Sequence, residues 1–128
     1  MSKLLLDTCG FIWLSLGGGP LSKKTLALID NADFVYVSSI TAWEIGFLYS
    51  KQRIELPLEP EQWFKEICEQ QNISPVNVTP EIGFKANTLP WHHKDPADRL
   101  ILATALLNNL TVVTQDSFFS DYEVQTIG

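Results

Sequence analysis

At 128 residues, 45% hydrophobic, 11% aromatic and 19% charged, the chain has the size and composition of one globular domain, and it needs no disulfide or metal staple merely to fold. Nine Lys and Arg against fifteen Asp and Glu give a net charge of −6, which excludes a nucleic-acid binder driven by bulk positive charge. Two cysteines, Cys9 and Cys68, are too few for a secreted disulfide framework; both lie in apolar segments and are expected to be reduced, small hydrophobes of a cytoplasmic protein.

The opening Met1-Ser2-Lys3-Leu4-Leu5-Leu6 is too short for a signal-peptide core, and no apolar run approaches the roughly 20 residues of a membrane span, so no membrane contact is expected. Residues 3–7 read as a strand, apolar without alternation as in a strand covered on both faces, and it stops at a carboxylate, Asp7. A short helix over residues 11–16 ends at Gly17-Gly18-Gly19-Pro20, and Ser22 caps a second helix whose Thr25, Leu28, Ile29 and Ala32 share a face. Residues 34–37 form a second strand, after which Ser38 or Ser39 caps a helix reaching about Lys51. Leu56-Pro57-Leu58-Glu59-Pro60 is a loop before a helix with Trp63, Phe64, Ile67 and Cys68 in one apolar stripe. A third strand over residues 73–78 leads through Thr79-Pro80, cap then proline, into another short helix. After an irregular stretch at 89–94, Asp95-Pro96 opens a helix from Ala97 to Asn108, apolar enough from Leu100 to Leu107 to be largely buried. Residues 110–114 and 124–127 complete five strands. Strands separated by helices throughout predict an α/β domain with a mainly parallel sheet, without an internal repeat or a second domain.

Four carboxylates stand where carboxylates are expensive. Asp7 and Asp116 follow apolar strands, and ligands of open parallel sheets bind just beyond the strands' carboxyl ends. Glu44 has Ile40, Thr41, Phe47 and Leu48 as its helical neighbours, so it must be paired, protonated or bound to a cation. Asp98 is the third residue of the most apolar helix, with Asp95 as its N-cap. Each has a purely structural explanation: a capping box for Asp98, turn formation for Asp7 and Asp116, a pair with Arg53 or Arg99 for Glu44. Those explanations must hold independently, whereas one site accounts for all four. Two unit charges about 4 Å apart repel by about 4 kcal/mol at an effective dielectric of 20, and a divalent cation reverses that sign. Carboxylate oxygens suit Mg²⁺ or Mn²⁺; zinc is disfavoured, because the adjacent His92 and His93 do not easily reach one ion and read as loop histidines.

Leu5-Leu6-Asp7-Thr8, Ser39 with Trp43-Glu44-Ile45, Leu89-Pro90 followed by His93 to Ala103 with its Asp95-Pro96-Ala97-Asp98-Arg99 block, and Val113-Thr114-Gln115-Asp116 together resemble the PIN domain. The Asp-Pro-x-Asp-Arg block is similar to that of the VapC-type ribonuclease toxins of bacterial toxin–antitoxin pairs. The resemblance spans about Lys3 to Ile127 and extends the expected domain over residues 1–128. It implies a three-layer α/β/α sandwich whose acids hold Mg²⁺ or Mn²⁺ for RNA phosphodiester hydrolysis. By position, Asp7, Glu44, Asp98 and Asp116 match the family's acidic quartet, both as metal site and as catalytic residues, with Asp7 and Asp98 the usual direct ligands. Thr8 and Thr114 match hydroxyl positions that hold a carboxylate or water. The resemblance further implies an RNA substrate such as tRNA or rRNA, a homodimer, and a small antitoxin as inhibitory partner.

Lys23, Lys24, Lys51, Arg53 and Lys94 are candidates for RNA contact but read first as solvated surface charge; Arg99 is expected to pair with a carboxylate. Of the aromatic residues, Trp13, Trp43, Trp63, Trp91, Phe11, Phe47 and Phe64 are candidates for base stacking, but most lie on helical stripes and are expected in the core, with Trp91 the exception in a loop beside the Asp95 block. Two other functions compete. A catalytically inactive PIN-like binding module is disfavoured because a dead site has no physical reason to keep four mutually repelling acids. Phosphotransfer through Asp7 is disfavoured because Cys9 stands where aspartyl phosphatases need a second Asp, and no Lys follows Lys94 as a receiver domain requires.

Overall fold

The computed structural model describes residues 2–128. In chain order the elements are β1 (Lys3–Leu6), α1 (Thr8–Ser15), α2 (Lys23–Asp30), β2 (Phe34–Ser38), α3 (Ser39–Ser50), α4 (Pro60–Gln70), β3 (Ser74–Val76), α5 (Pro80–Thr88), α6 (Pro96–Asn108), β4 (Thr111–Val113) and β5 (Thr126–Ile127), with a 3₁₀ turn at Ser117–Asp121. The strands form one parallel sheet in the order β3-β2-β1-β4-β5. The expected three-layer α/β/α architecture is the one observed. Among the described residues no helix is long and apolar enough to cross a membrane.

Strand alternation distributes the core over both faces of the sheet. Leu4 and Leu6 of β1, Val35 and Val37 of β2 and Val113 of β4 pack with Phe11, Ile29, Trp63 and Ile67, the buried faces of α1, α2 and α4. Leu5 and Val112 point the other way, onto Ile82 and Ala86 of α5 and Ile101, Leu102 and Ala105 of α6. β1 therefore has both faces covered and both edges paired, with Leu5 and Leu6 fully buried, which is why its sequence shows no polar alternation.

Caps set where helices begin. Asp7, Ser22, Ser38, Thr79 and Asp95 each accept a hydrogen bond from a backbone N–H of the first turn that follows. The first helix starts at Thr8 rather than at residue 11, because Asp7 caps it directly off the strand. Ser39, the alternative cap for α3, instead accepts from the Val78 N–H at 3.0 Å and ties that helix to the segment after β3.

Candidate active site

The carboxyl ends of β1 and β4 are adjacent, so Asp7 and Asp116 emerge side by side above the sheet. Asp7 is 5% exposed. Its Oδ1 accepts from the Gly10 N–H at 2.6 Å and its Oδ2 from the Thr114 hydroxyl at 2.6 Å. Thr114 Oγ1 in turn accepts from the Asp116 N–H at 3.0 Å, so its single proton is committed to Asp7. Burial pushes the Asp7 carboxyl above the usual carboxylate range; the two hydrogen bonds oppose this and the Asp116 charge adds to it. Gly10 is a steric requirement here, since a Cβ at that position would stand 2.9 Å from Asp7 Oδ1 and 3.1 Å from the Val113 carbonyl.

Glu44 reaches the same place from α3. The Thr8 hydroxyl donates to its Oε1, and the fully buried Thr41 hydroxyl lies 3.0 Å from that of Thr8, giving a chain from Thr41 through Thr8 to Glu44. Burial raises the Glu44 carboxyl, the Thr8 bond lowers it, and the charges of Asp95 and Asp7 raise it further. Asp98 comes from the first turn of α6, where its N–H donates to Asp95 Oδ1 at 3.0 Å. Its own carboxylate makes no hydrogen bond among the described residues, so no capping box forms. Burial, then the charges of Asp95, Glu44, Asp116 and Asp7, push the Asp98 carboxyl up to about 7.

These acids line one cleft of about 500 Å³, together with Asp95, Cys9, Gln115 and an apolar wall of Ile12, Trp13 and Leu48. A larger depression, about 630 Å³, lies at the opposite ends of the strands by Lys3, Asn109 and Glu123, and Glu123 is the one acid that lines it. No cation offsets the cluster: the one ion pair among the described residues is His93 with Asp121, 2.7 Å apart and outside the cleft. Nor do any three of these side chains stand close enough to enclose an ion as they are. Drawing the acids together is work a bound cation would do. The donor set is oxygen throughout apart from the Cys9 thiol, and it fits a hard divalent ion that keeps several waters.

Several sequence expectations are corrected. Glu44 pairs with neither Arg53 nor Arg99. Arg99, 2% exposed, has no carboxylate partner; Nη2 donates to the carbonyls of Ala86 (2.6 Å) and Leu89 (2.8 Å), and Nη1 to those of Pro90 (3.0 Å) and His93 (3.1 Å). Its guanidinium also lies 3.5 Å from the ring centroid of Trp91. Cys9 is exposed in the cleft, not a core residue. Trp43 and Phe47 are exposed rather than core, because α3 buries only Thr41 and Ile45. His92 and His93 stay outside the cleft, as loop residues against Tyr122 and Phe118. Lys23, Lys24, Lys51, Arg53 and Lys94 are exposed and none lines the cleft. Three residues of the site escaped the sequence reading: Gly10, Thr41 and Gln115. Gly10 carried a signal, standing three residues after a capping Asp, and so did Thr41, a polar residue one turn before Glu44.

The PIN domain model matches residues 4–125. Ribonuclease VapC22 of Mycobacterium tuberculosis is 33% identical over 117 residues, covering 91% of this chain and 88% of that protein. Among solved structures, VapBC2 from Rickettsia felis bound to a promoter DNA fragment superposes with a TM-score of 0.71 at 19% identity, covering 97% of this chain and 96% of the other. A toxin–antitoxin complex from Klebsiella pneumoniae gives 0.65 at 18% identity, over 98% and 96%. At such identities the superpositions establish the fold, while the family model and the mycobacterial relative establish descent. The chain belongs to the PIN-domain family.

Proposed function

We propose that this chain is a metal-dependent endoribonuclease that hydrolyses RNA phosphodiester bonds, the toxin of a toxin–antitoxin pair held inactive by a small antitoxin. Residues 1–128 act as one nuclease domain. The observation that carries the reading is the convergence of Asp7, Glu44, Asp98 and Asp116 on one cleft with no cation beside them. The identity to ribonuclease VapC22 supports RNA as the substrate, and the toxin–antitoxin complex among the fold relatives supports a protein inhibitor. The same reading has the chain working in the cytoplasm as a homodimer on tRNA or rRNA.

Asp7 and Asp98 would hold the ion directly, with Glu44 and Asp116 completing its surroundings; Mg²⁺ is the expected ion and Mn²⁺ a substitute. When bound, the ion supplies Lewis-acid chemistry, favouring attack by water on phosphorus and offsetting charge on the phosphoryl oxygens. The protein's part is preorganisation. Gly10 and Thr114 fix one oxygen each of Asp7, and Thr8 fixes one oxygen of Glu44, leaving the other free to accept a proton from water. The test is cleavage of a mixed tRNA and rRNA pool with Mg²⁺, with Mn²⁺ and with EDTA, beside Asp98→Asn. Cutting that needs metal and vanishes in the variant supports the reading; inert wild type that binds no metal by calorimetry overturns it.

A further inference from the structure

The outer face of α3 carries an aromatic pair that the cleft chemistry does not use. Trp43 and Phe47, one turn apart, are 62% and 41% exposed, with ring centroids 5.5 Å apart and planes inclined by 17°. Lys51, a further turn along, holds its Nζ 5.8 Å from the Phe47 centroid and has no carboxylate partner among the described residues. Trp43 directly precedes Glu44 and Phe47 directly precedes Leu48, and those two line the cleft. The aromatic stripe is therefore the neighbouring stripe of the same helix, about 100° round from the acid.

We propose that Trp43 and Phe47 form a stacking platform for a nucleobase of single-stranded RNA beside the phosphodiester in the cleft, with Lys51 meeting a backbone phosphate. The proposal rests on the nuclease reading above. A chain of net charge −6, with five acids and no Lys or Arg lining its cleft, draws little RNA affinity from contacts of its own side chains with phosphate. Stacking is indifferent to charge and open to every base, and it requires a base free of its pair. The unpaired Lys51 beyond Phe47 supplies the complementary charge for the strand that continues past the base. A protein helix is the less fitting occupant. The apolar groove suited to one, lined by Ile12, Leu16, Leu56 and Trp63, contains neither ring. One turn beyond Phe47 the same face continues with Ser50 and Lys51, both exposed and polar.

The test uses the intact protein and a short, labelled, single-stranded RNA of mixed sequence, followed by fluorescence anisotropy in EDTA and by cleavage in Mg²⁺. Trp43→Ala is expected to weaken binding about 5- to 150-fold, the range set by one base–aromatic stack, while Trp43→Phe keeps most of it. Lys51→Gln is expected to reduce the salt slope by roughly one. Both side chains are exposed, so an unchanged melting temperature accompanies these effects. Wild-type affinity in Trp43→Ala, no RNA binding by wild type, or an effect of Trp43→Ala on self-association alone overturns the platform. The cleavage arm separates the two readings. If wild type cuts and Trp43→Ala leaves KM unchanged, the platform falls and the nuclease stands. If nothing is cut but RNA binding depends on Trp43, the nuclease falls and the platform stands.

Discussion

Replacing Arg99 by Met keeps the length of the stem and removes the guanidinium. Ala86 lies in the last turn of α5, and the residue four positions on is Pro90, which has no N–H; the Ala86 carbonyl can obtain no ordinary helical donor and takes Arg99 Nη2 instead. The Ala86 and Leu89 carbonyls are buried with the guanidinium, and leaving each unpaired costs about 1–3 kcal/mol. The Pro90 carbonyl keeps the Tyr122 hydroxyl at 2.6 Å and adds little. Losing the cation over Trp91 adds about 0.5–1 kcal/mol. Arg99→Met is therefore expected to cost about 3–6 kcal/mol out of a total of about 5–15 kcal/mol, and to lower the melting temperature by roughly 10–20 °C. Arg99→Lys, which keeps a charge but lacks the fork that serves both pairs of carbonyls, recovers only a minor part. Urea unfolding followed by far-ultraviolet circular dichroism measures both. A loss under about 1 kcal/mol with an unchanged m-value would refute the reasoning, because it would mean that those carbonyls find other partners as readily as Arg99.

Further predictions concern the cleft. Asp98, pushed up to about 7 from an ordinary value of 3.8, opposes folding when charged; the penalty is absent below about pH 4 and complete above about pH 7. Discounted for a side chain still partly in water, it is roughly 1–2 kcal/mol, so Asp98→Asn melts higher than metal-free wild type at pH 8 and the gap closes toward pH 4. Titrating Mg²⁺ at pH 8 raises the melting temperature of wild type and leaves Asp98→Asn where it was. Thr114→Val removes the hydroxyl between Asp7 and the Asp116 N–H; a loss of about 1–3 kcal/mol in urea and a marked fall in cleavage rate are expected, and unchanged cleavage would remove Thr114 from the positioning of Asp7. Gly10→Ala forces a methyl against Asp7 Oδ1, with an expected cost of about 1–3 kcal/mol and weakened Mg²⁺ binding by calorimetry.

What the sequence makes legible here follows from local physics. Leu4-Leu5-Leu6 and Val112-Val113 announce doubly covered strands because a central parallel strand has no polar face. Asp95-Pro96 and Thr79-Pro80 announce helix starts because a cap followed by a residue without an N–H suits only that position. The acids stand out because charge in apolar surroundings is costly wherever the chain goes. Tertiary placement is what local patterns cannot supply. The third helix is apolar around most of its circumference, so periodicity does not reveal that Ile45 faces inward and Trp43 outward. Arg99 reads as one half of an ion pair, yet its partners are carbonyls, and any residue type offers those. The strand order was equally hidden, since it depends on which crossovers pack rather than on any residue.

The placement of β1 between β2 and β4 has a consequence for synthesis. Asp7 is made 107 residues before Thr114, whose hydroxyl fixes its carboxylate. A growing chain can pair β1 with β2, but the second edge of β1, the Asp98 turn and the Asp116 backbone all arrive only after α5. Contacts of such long sequence separation form slowly and late, after the cost of closing the intervening loops has been met. A chain that has not yet docked β4 accordingly has no assembled acid cluster.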